Sequence, residues 1–315
     1  MLTTGLIVFL FVFGVLLGTL FGFFAMGGSF LITPLLMMLG FPTSEAVATG
    51  LAFVFGTSII SILKHREYGQ TDYKLGLTLG VSMSGGVYFG SLFLNYFEQV
   101  GSSEQVVGIA YIVLLLFTGF KMVSASKTET TTYDEYEQLI KKYRIHPIIR
   151  VGKKNRKVSI WFLVLIGFLV GLLAGFMGVG GGFLLVPAIT MFIGLSPSLA
   201  VGTAVLVVLI SSGYGTFLYS GQELVDVTTA SILLFGSALG AKLGAKASHI
   251  VPEDELEMLF GLMMVLGGVA IIINQLYNQL MWEILQTLSI LVIIAITAAM
   301  STIIYKDAIQ QWLKG

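Results

Sequence analysis

Apolar runs separated by short polar clusters recur along the chain at about residues 5–25, 28–40, 44–63, 73–97 and 104–123. They return at about 158–178, 180–194, 198–219, 226–247 and 255–275, and one more follows at about 281–305. Runs such as 5–25, 104–120 and 158–178 reach or approach the roughly 20 residues a helix needs to cross about 30 Å of hydrocarbon. None shows the short alternating segments of an outer-membrane barrel. The pattern predicts an all-α integral membrane protein.

The two series of runs share residues as well as spacing. Aligning "GFFAMGGSFLITP" (22–34) with "GFMGVGGGFLLVP" (175–187) at an offset of 153 pairs Phe23 with Phe176, Gly27 with Gly180, Gly28 with Gly181, Phe30 with Phe183 and Pro34 with Pro187. An offset of 154 then pairs Gly40 with Gly194, Ser44 with Ser198, Thr49 with Thr203, Ser58 with Ser212, Gly86 with Gly240 and Gly90 with Gly244. Chance identity of Gly, Leu or Val is common in apolar sequence, but Phe, Pro and Thr recurring at a nearly constant interval is not. The chain reads as a duplication: a first membrane repeat (1–123), a charged linker (124–157), a second membrane repeat (158–280) and an additional C-terminal transmembrane helix and tail (281–315).

Composition strengthens the membrane assignment: 56% of the 315 residues are hydrophobic and 11% charged, with a mean hydropathy of +0.93, too little polar surface for a core in water. The start, "MLTTGLIVFL", lacks a basic stretch and a small-residue cleavage site, and is expected to be a retained helix rather than a signal peptide. There are no cysteines, which excludes disulfides, thiolate metal sites and a thiol relay. The zero net charge conceals segregation, since nine of the seventeen Lys and Arg lie between 124 and 157. By the positive-inside rule that linker and the loop with Lys64, His65, Arg66 and Lys74 belong in the cytoplasm. Parallel halves would put Lys242, Lys246, Lys306 and Lys314 outside, whereas inverted halves put every base inside and the loops with Glu98, Glu104, Glu223 and Asp226 outside. Inverted repeats are therefore expected, each a re-entrant helical hairpin plus three transmembrane helices, in a multi-pass cell (inner) membrane protein with a cytoplasmic linker and C-terminus.

The Gly-rich clusters then fall at the hairpin tips. The second arm, 28–40, would rise only about 20 Å at 1.5 Å per residue, although the 21-residue first arm is long enough to span. A turn within hydrocarbon leaves backbone N–H and C=O groups to be satisfied, so it is tolerated only against protein or a water-filled cavity. Glycine permits the positive φ angles and close approach such a turn needs. Helices starting near Gly28 and Gly181 would point free N–H groups and a positive dipole end inward, an arrangement that attracts an anion. Pro34 and Pro187 each leave one carbonyl without its donor. The candidate substrate-binding residues are Gly27, Gly28, Ser29, Phe30, Pro34, Thr49, Gly180, Gly181, Gly182, Phe183, Pro187 and Thr203; Ser29 is the only side-chain hydroxyl within the two clusters. Gly14/Gly18/Gly22, Gly167/Gly171/Gly175, Gly86/Gly90 and Gly236/Gly240/Gly244 instead have the four-residue spacing of helix-packing faces.

Taken together, the paired tips, "AVATG" in one half and "AVGTA" in the other, "KHREYGQTD" and the late GxxxG tracts make a set that resembles the sulfite exporter TauE/SafE family. The resemblance covers both repeats. It implies export of small sulfur-containing anions such as sulfite, sulfoacetate and related organosulfonates, with some members moving other anions. The linker is longer than the resemblance leads one to expect, and the lack of cysteine separates this chain from related thiol-using thiosulfate carriers.

Other chemistry finds little support. No HExxH, GxSxG, intramembrane Asp pair or phosphate-binding loop occurs, so no enzyme, cofactor or metal site is expected. The expected partners are a small anion and the lipid bilayer, with no nucleic acid; a homo-oligomer is compatible with the pattern. Glu45, Asp72, Glu98 and Asp226 fall near segment ends, so no buried carboxylate proton relay is indicated. The stretch "YDEYEQLIKKYRIHP" is expected to form a short amphipathic helix within the linker. A passive anion channel, a membrane sensor and a carrier of a different organic anion remain alternatives.

Overall fold

In a computed structural model, residues 4–24, 29–67, 69–125, 146–152, 155–247, 253–280 and 283–314 are described. The first half contains α1 (Thr4–Phe24), α2 (Ser29–Met38), α3 (Thr43–Glu67), α4 (Tyr73–Val100) and α5 (Ser103–Ala125). The second contains α6 (Ile160–Met177), α7 (Gly182–Ala188) continued by a π-helical turn (Ile189–Ile193), α8 (Pro197–Ser220), α9 (Val227–Ala247) and α10 (Glu253–Leu280). The last helix, α11 (Glu283–Lys314), extends past the expected boundary near 305. Seven of the described helices are long and apolar enough to cross a membrane, which makes this an all-α membrane protein.

Local sequence explains the helix limits. Asp72 accepts a hydrogen bond from the Leu75 N–H (3.0 Å) at the start of α4, and Gly101, in the left-handed conformation, closes its end with bonds to Glu98 and Phe97. Asp226 takes the Thr228 and Thr229 N–H groups at the start of α9. Pro197 occupies the first position of α8, where a missing N–H costs nothing. Pro187 sits inside α7, and the chain beyond it widens into the π turn. The Thr190 hydroxyl donates to Val186 O and Pro187 O, taking up carbonyls there.

Packing between the halves is reciprocal. Gly14, Gly18 and Gly22 lie on the backbone of Leu233, Ser237 and Ala241, so α1 runs alongside α9 in the same direction. Gly167, Gly171 and Gly175 lie on Leu79, Met83 and Val87, so α6 runs alongside α4 in the same way. The four-residue Gly tracts thus act as packing faces, because only a missing Cβ lets backbones approach this closely. Between these pairs α3 and α8 lie side by side and antiparallel. The Asp226 N–H, in the loop after α8, donates to Thr49 near the start of α3, and the Asp72 N–H, in the loop after α3, donates to Thr203 near the start of α8, both at 3.0 Å. α5 packs on α10 and α10 on α11.

Apolar and polar residues are distributed as a bilayer demands. Val81, Val113, Phe117, Trp161, Phe217, Phe235 and Leu239 are exposed, while Thr19, Thr33, Thr57, Ser211, Ser212 and Thr297 are buried. Most of the buried hydroxyls donate to a carbonyl three or four residues back, as Thr57 does to Phe53 O (2.9 Å) and Thr297 to Ile293 O (2.9 Å).

The charged linker holds an antiparallel hairpin, β1 (Ile148–Val151) and β2 (Arg156–Ser159), that hydrophobic periodicity does not flag. Gly152 donates its N–H to the second Asp72 oxygen, and Arg156 donates to Ile193 O (3.2 Å) at the end of the π turn. The amphipathic helix expected over 133–147 lies, but for its last two residues, outside the described residues.

Candidate functional site at the tip of α6

α6 ends where Gly178 turns left-handed at φ +76°, and Gly180 and Gly181 follow at φ +67° and +71° before α7 begins at Gly182. This is the region of φ that L side chains avoid and glycine enters freely. Residues 177–183 are all buried. Gly180 rests between Val54 and Val208, which are equivalent positions near the middle of α3 and α8. Gly181 rests against Met83 of α4 and Val170 of α6. The tip therefore sits where helices of both halves meet.

Other predicted site residues occupy distinct places. Phe30 and Phe183, equivalent in the duplication and both fully buried, pack on one another with ring centroids 5.7 Å apart, and Phe260 of α10 meets Phe30 edge-on at 6.0 Å. The starts of α2 and α7 are thus in contact. Pro34 and Pro187 lie inside α2 and α7. Thr49 and Thr203 are fully buried and accept the N–H groups of Asp226 and Asp72, and Thr203 also donates to Leu199 O (2.6 Å). These two hydroxyls tie loop to helix between the halves. Gly27 and Gly28 lie outside the described residues, and Ser29 is described only as the first residue of α2.

Three groups that the sequence reading did not single out converge on the same tip. The Tyr219 hydroxyl donates to Gly175 O (2.8 Å) and the Tyr111 hydroxyl to Met177 O (2.6 Å). Thr33 Oγ1 lies 3.5 Å from Gly178 O and also hydrogen-bonds Tyr111. A phenol inside an apolar run, away from the ends where tyrosine usually meets the interface, is the signal that could have found Tyr111. Tyr219, at the end of its run, carried none. Among the described residues no cluster of three or more His, Asp or Glu could hold a metal ion.

A bundle of apolar helices with hydroxyls buried inside and a chain break at buried glycines has the build of a multi-pass membrane transporter. The chain belongs to the sulfite exporter TauE/SafE family, whose model matches residues 10–271. It is similar to the "Probable membrane transporter protein YunE" of Bacillus subtilis, with 27% identity over 86% of this chain and 99% of the relative. It is also similar to a "Probable membrane transporter protein" of Haemophilus influenzae, with 24% identity over 81% of this chain and 94% of the relative. The B. subtilis protein YdhB, named in the same words, is 24% identical over 82% and 96%. No solved structure matches significantly.

Proposed function

We propose that the protein is a secondary carrier that exports a small sulfur-containing anion, sulfite or an organosulfonate such as sulfoacetate, across the cell membrane by alternating access. The two halves act as inverted repeats, and the anion is held between their Gly-rich tips near mid-membrane. The observation that carries this reading is the seat of Gly180, a left-handed turn buried between Val54 and Val208. Irregular backbone at membrane depth is tolerated where it lines a cavity or is covered by protein, and pseudo-symmetric broken helices are a recurring way to build a carrier's site. The antiparallel course of α3 and α8 supports inversion, because equivalent helices of parallel repeats would point the same way. Family membership supports the sulfur anion and its export.

With no acid in the middle of the membrane runs, the membrane potential is the proposed drive. An interior-negative potential favours anion exit by about 2.3 kcal/mol per charge per 100 mV. The test is flux in proteoliposomes across sulfite, sulfoacetate, taurine, sulfate and lactate, with the potential imposed and with no pH or sodium gradient. Saturable, potential-driven sulfite or sulfoacetate flux with counterflow is expected, and Gly181→Leu should abolish it while the protein still inserts. Binding of only a cation or a neutral solute would refute the reading. Flux without saturation or counterflow would make the protein a channel.

A further inference from the structure

Three of the last four carbonyls of α6 have a described hydrogen-bond partner, two of them hydroxyls of other helices. A helix leaves its last four C=O groups without internal partners, and together they form the negative end of its dipole. Of the four in α6, Ala174 O takes the Gly178 N–H (2.8 Å), Gly175 O the Tyr219 hydroxyl and Met177 O the Tyr111 hydroxyl, and Gly178 O, just past the helix, lies 3.5 Å from the Thr33 hydroxyl. The three side chains come from α8, α5 and α2, so both halves contribute. Each is buried to within 1% of completely. Elsewhere buried hydroxyls mostly serve their own helix, as Ser212 does with Val208 O. Three hydroxyls reaching across helices to one turn therefore call for a reason beyond helix formation.

We infer that Tyr111, Tyr219 and Thr33 are positioning residues that screen the carbonyl end of α6 from an anion at the tip. The inference rests on the anion reading proposed above. Bare carbonyls aimed at the tip would repel the substrate in a medium of low dielectric, and the repulsion would grow in proportion to the ligand's charge. A proton donated to Gly175 O by Tyr219 and to Met177 O by Tyr111 draws their partial charge into the protein, and Thr33, with one proton to share between Tyr111 and Gly178 O, backs the Tyr111 hydroxyl. Removing one donor uncovers a carbonyl and leaves it without a partner, while a phenylalanine ring in place of the tyrosine preserves the packing.

The experiment compares a monovalent probe, methanesulfonate, with a divalent one, sulfoacetate, on the purified full-length protein in proteoliposomes. Tyr111→Phe, Tyr219→Phe and Thr33→Val are each measured with both probes on one preparation, so loss of folded protein cancels in the ratio. The expected result is a charge-ordered rise in KM: where methanesulfonate weakens about threefold, sulfoacetate weakens about tenfold, because twice the repulsion squares the factor. Maximal rates for the two probes should keep their wild-type ratio. Equal losses for both probes, or no change in either, would overturn the screening role and leave the anion reading intact. A wild type that takes up neither probe while carrying a neutral or cationic solute would overturn both.

Discussion

At the scale of single residues, glycine does two different jobs in this protein, and the spacing of the glycines separates them. Gly171 faces the backbone of Met83, where an added Cβ would collide with main-chain atoms that cannot swing away. Gly85 has nothing within 4 Å of where a Cβ would stand. Gly171→Ala should therefore cost about 1–3 kcal/mol through forced separation of α4 and α6, read as a lowered midpoint of thermal unfolding in detergent. Gly85→Ala should stay within about 0.5 kcal/mol of wild type or stabilise slightly. Equal midpoints for the two would mean that close helix approach is not what the tract provides. The packing tracts were legible because four-residue spacing has a direct geometric meaning. The hydroxyls of Tyr111 and Tyr219 were not, because their partners are carbonyls 66 and 44 residues away.

At the scale of elements, the two short arms end in different company. The end of α7 and its π turn is held by Arg156 of β2, which donates to Ile193 O, whereas the end of α2 is held by Gln286 of α11, which donates to Met38 O (2.8 Å). Among the described residues neither β2 nor α11 has a counterpart in the other half, so the similar arms are restrained by unlike elements. Arg156→Ala removes a charged donor to a carbonyl, a loss of about 1.5–3 kcal/mol. Faster hydrogen exchange is expected over residues 189–194, with residues 36–40 unaffected. Exchange unchanged at the π turn would show that Pro187 and the packing around α7 hold it without the hairpin. Helix positions were legible from hydrophobic runs to within about five residues, except that α11 runs nine residues past its expected end. The β-hairpin was not, because its pairing joins residues within a charged stretch whose periodicity points to neither strand nor core.

For the whole molecule, the decisive question is how the halves lie relative to the membrane. Lys74 and Thr228 are equivalent at an offset of 154, both exposed at the starts of α4 and α9. The chain has no native cysteine, so Lys74→Cys and Thr228→Cys each give one labelling site. Inverted halves require an impermeant maleimide to reach the two from opposite sides of the membrane, Lys74→Cys from the cytoplasm. Labelling of both from one side would make the halves parallel.

The sequence by itself determined the solvent, the order of the described helices and the Gly-rich break between α6 and α7, because each depends on composition or on spacing along the chain. Tertiary structure alone decided what that break touches. That Gly180 would sit between Val54 and Val208, that Phe30 would meet Phe183, and that hydroxyls from three helices would close the end of α6 all depend on contacts between distant segments. Such contacts arise only when helices from the two halves pack together, and in a bilayer packing is directed by shape and hydrogen bonding rather than by hydrophobicity, which is the property a linear sequence displays most openly.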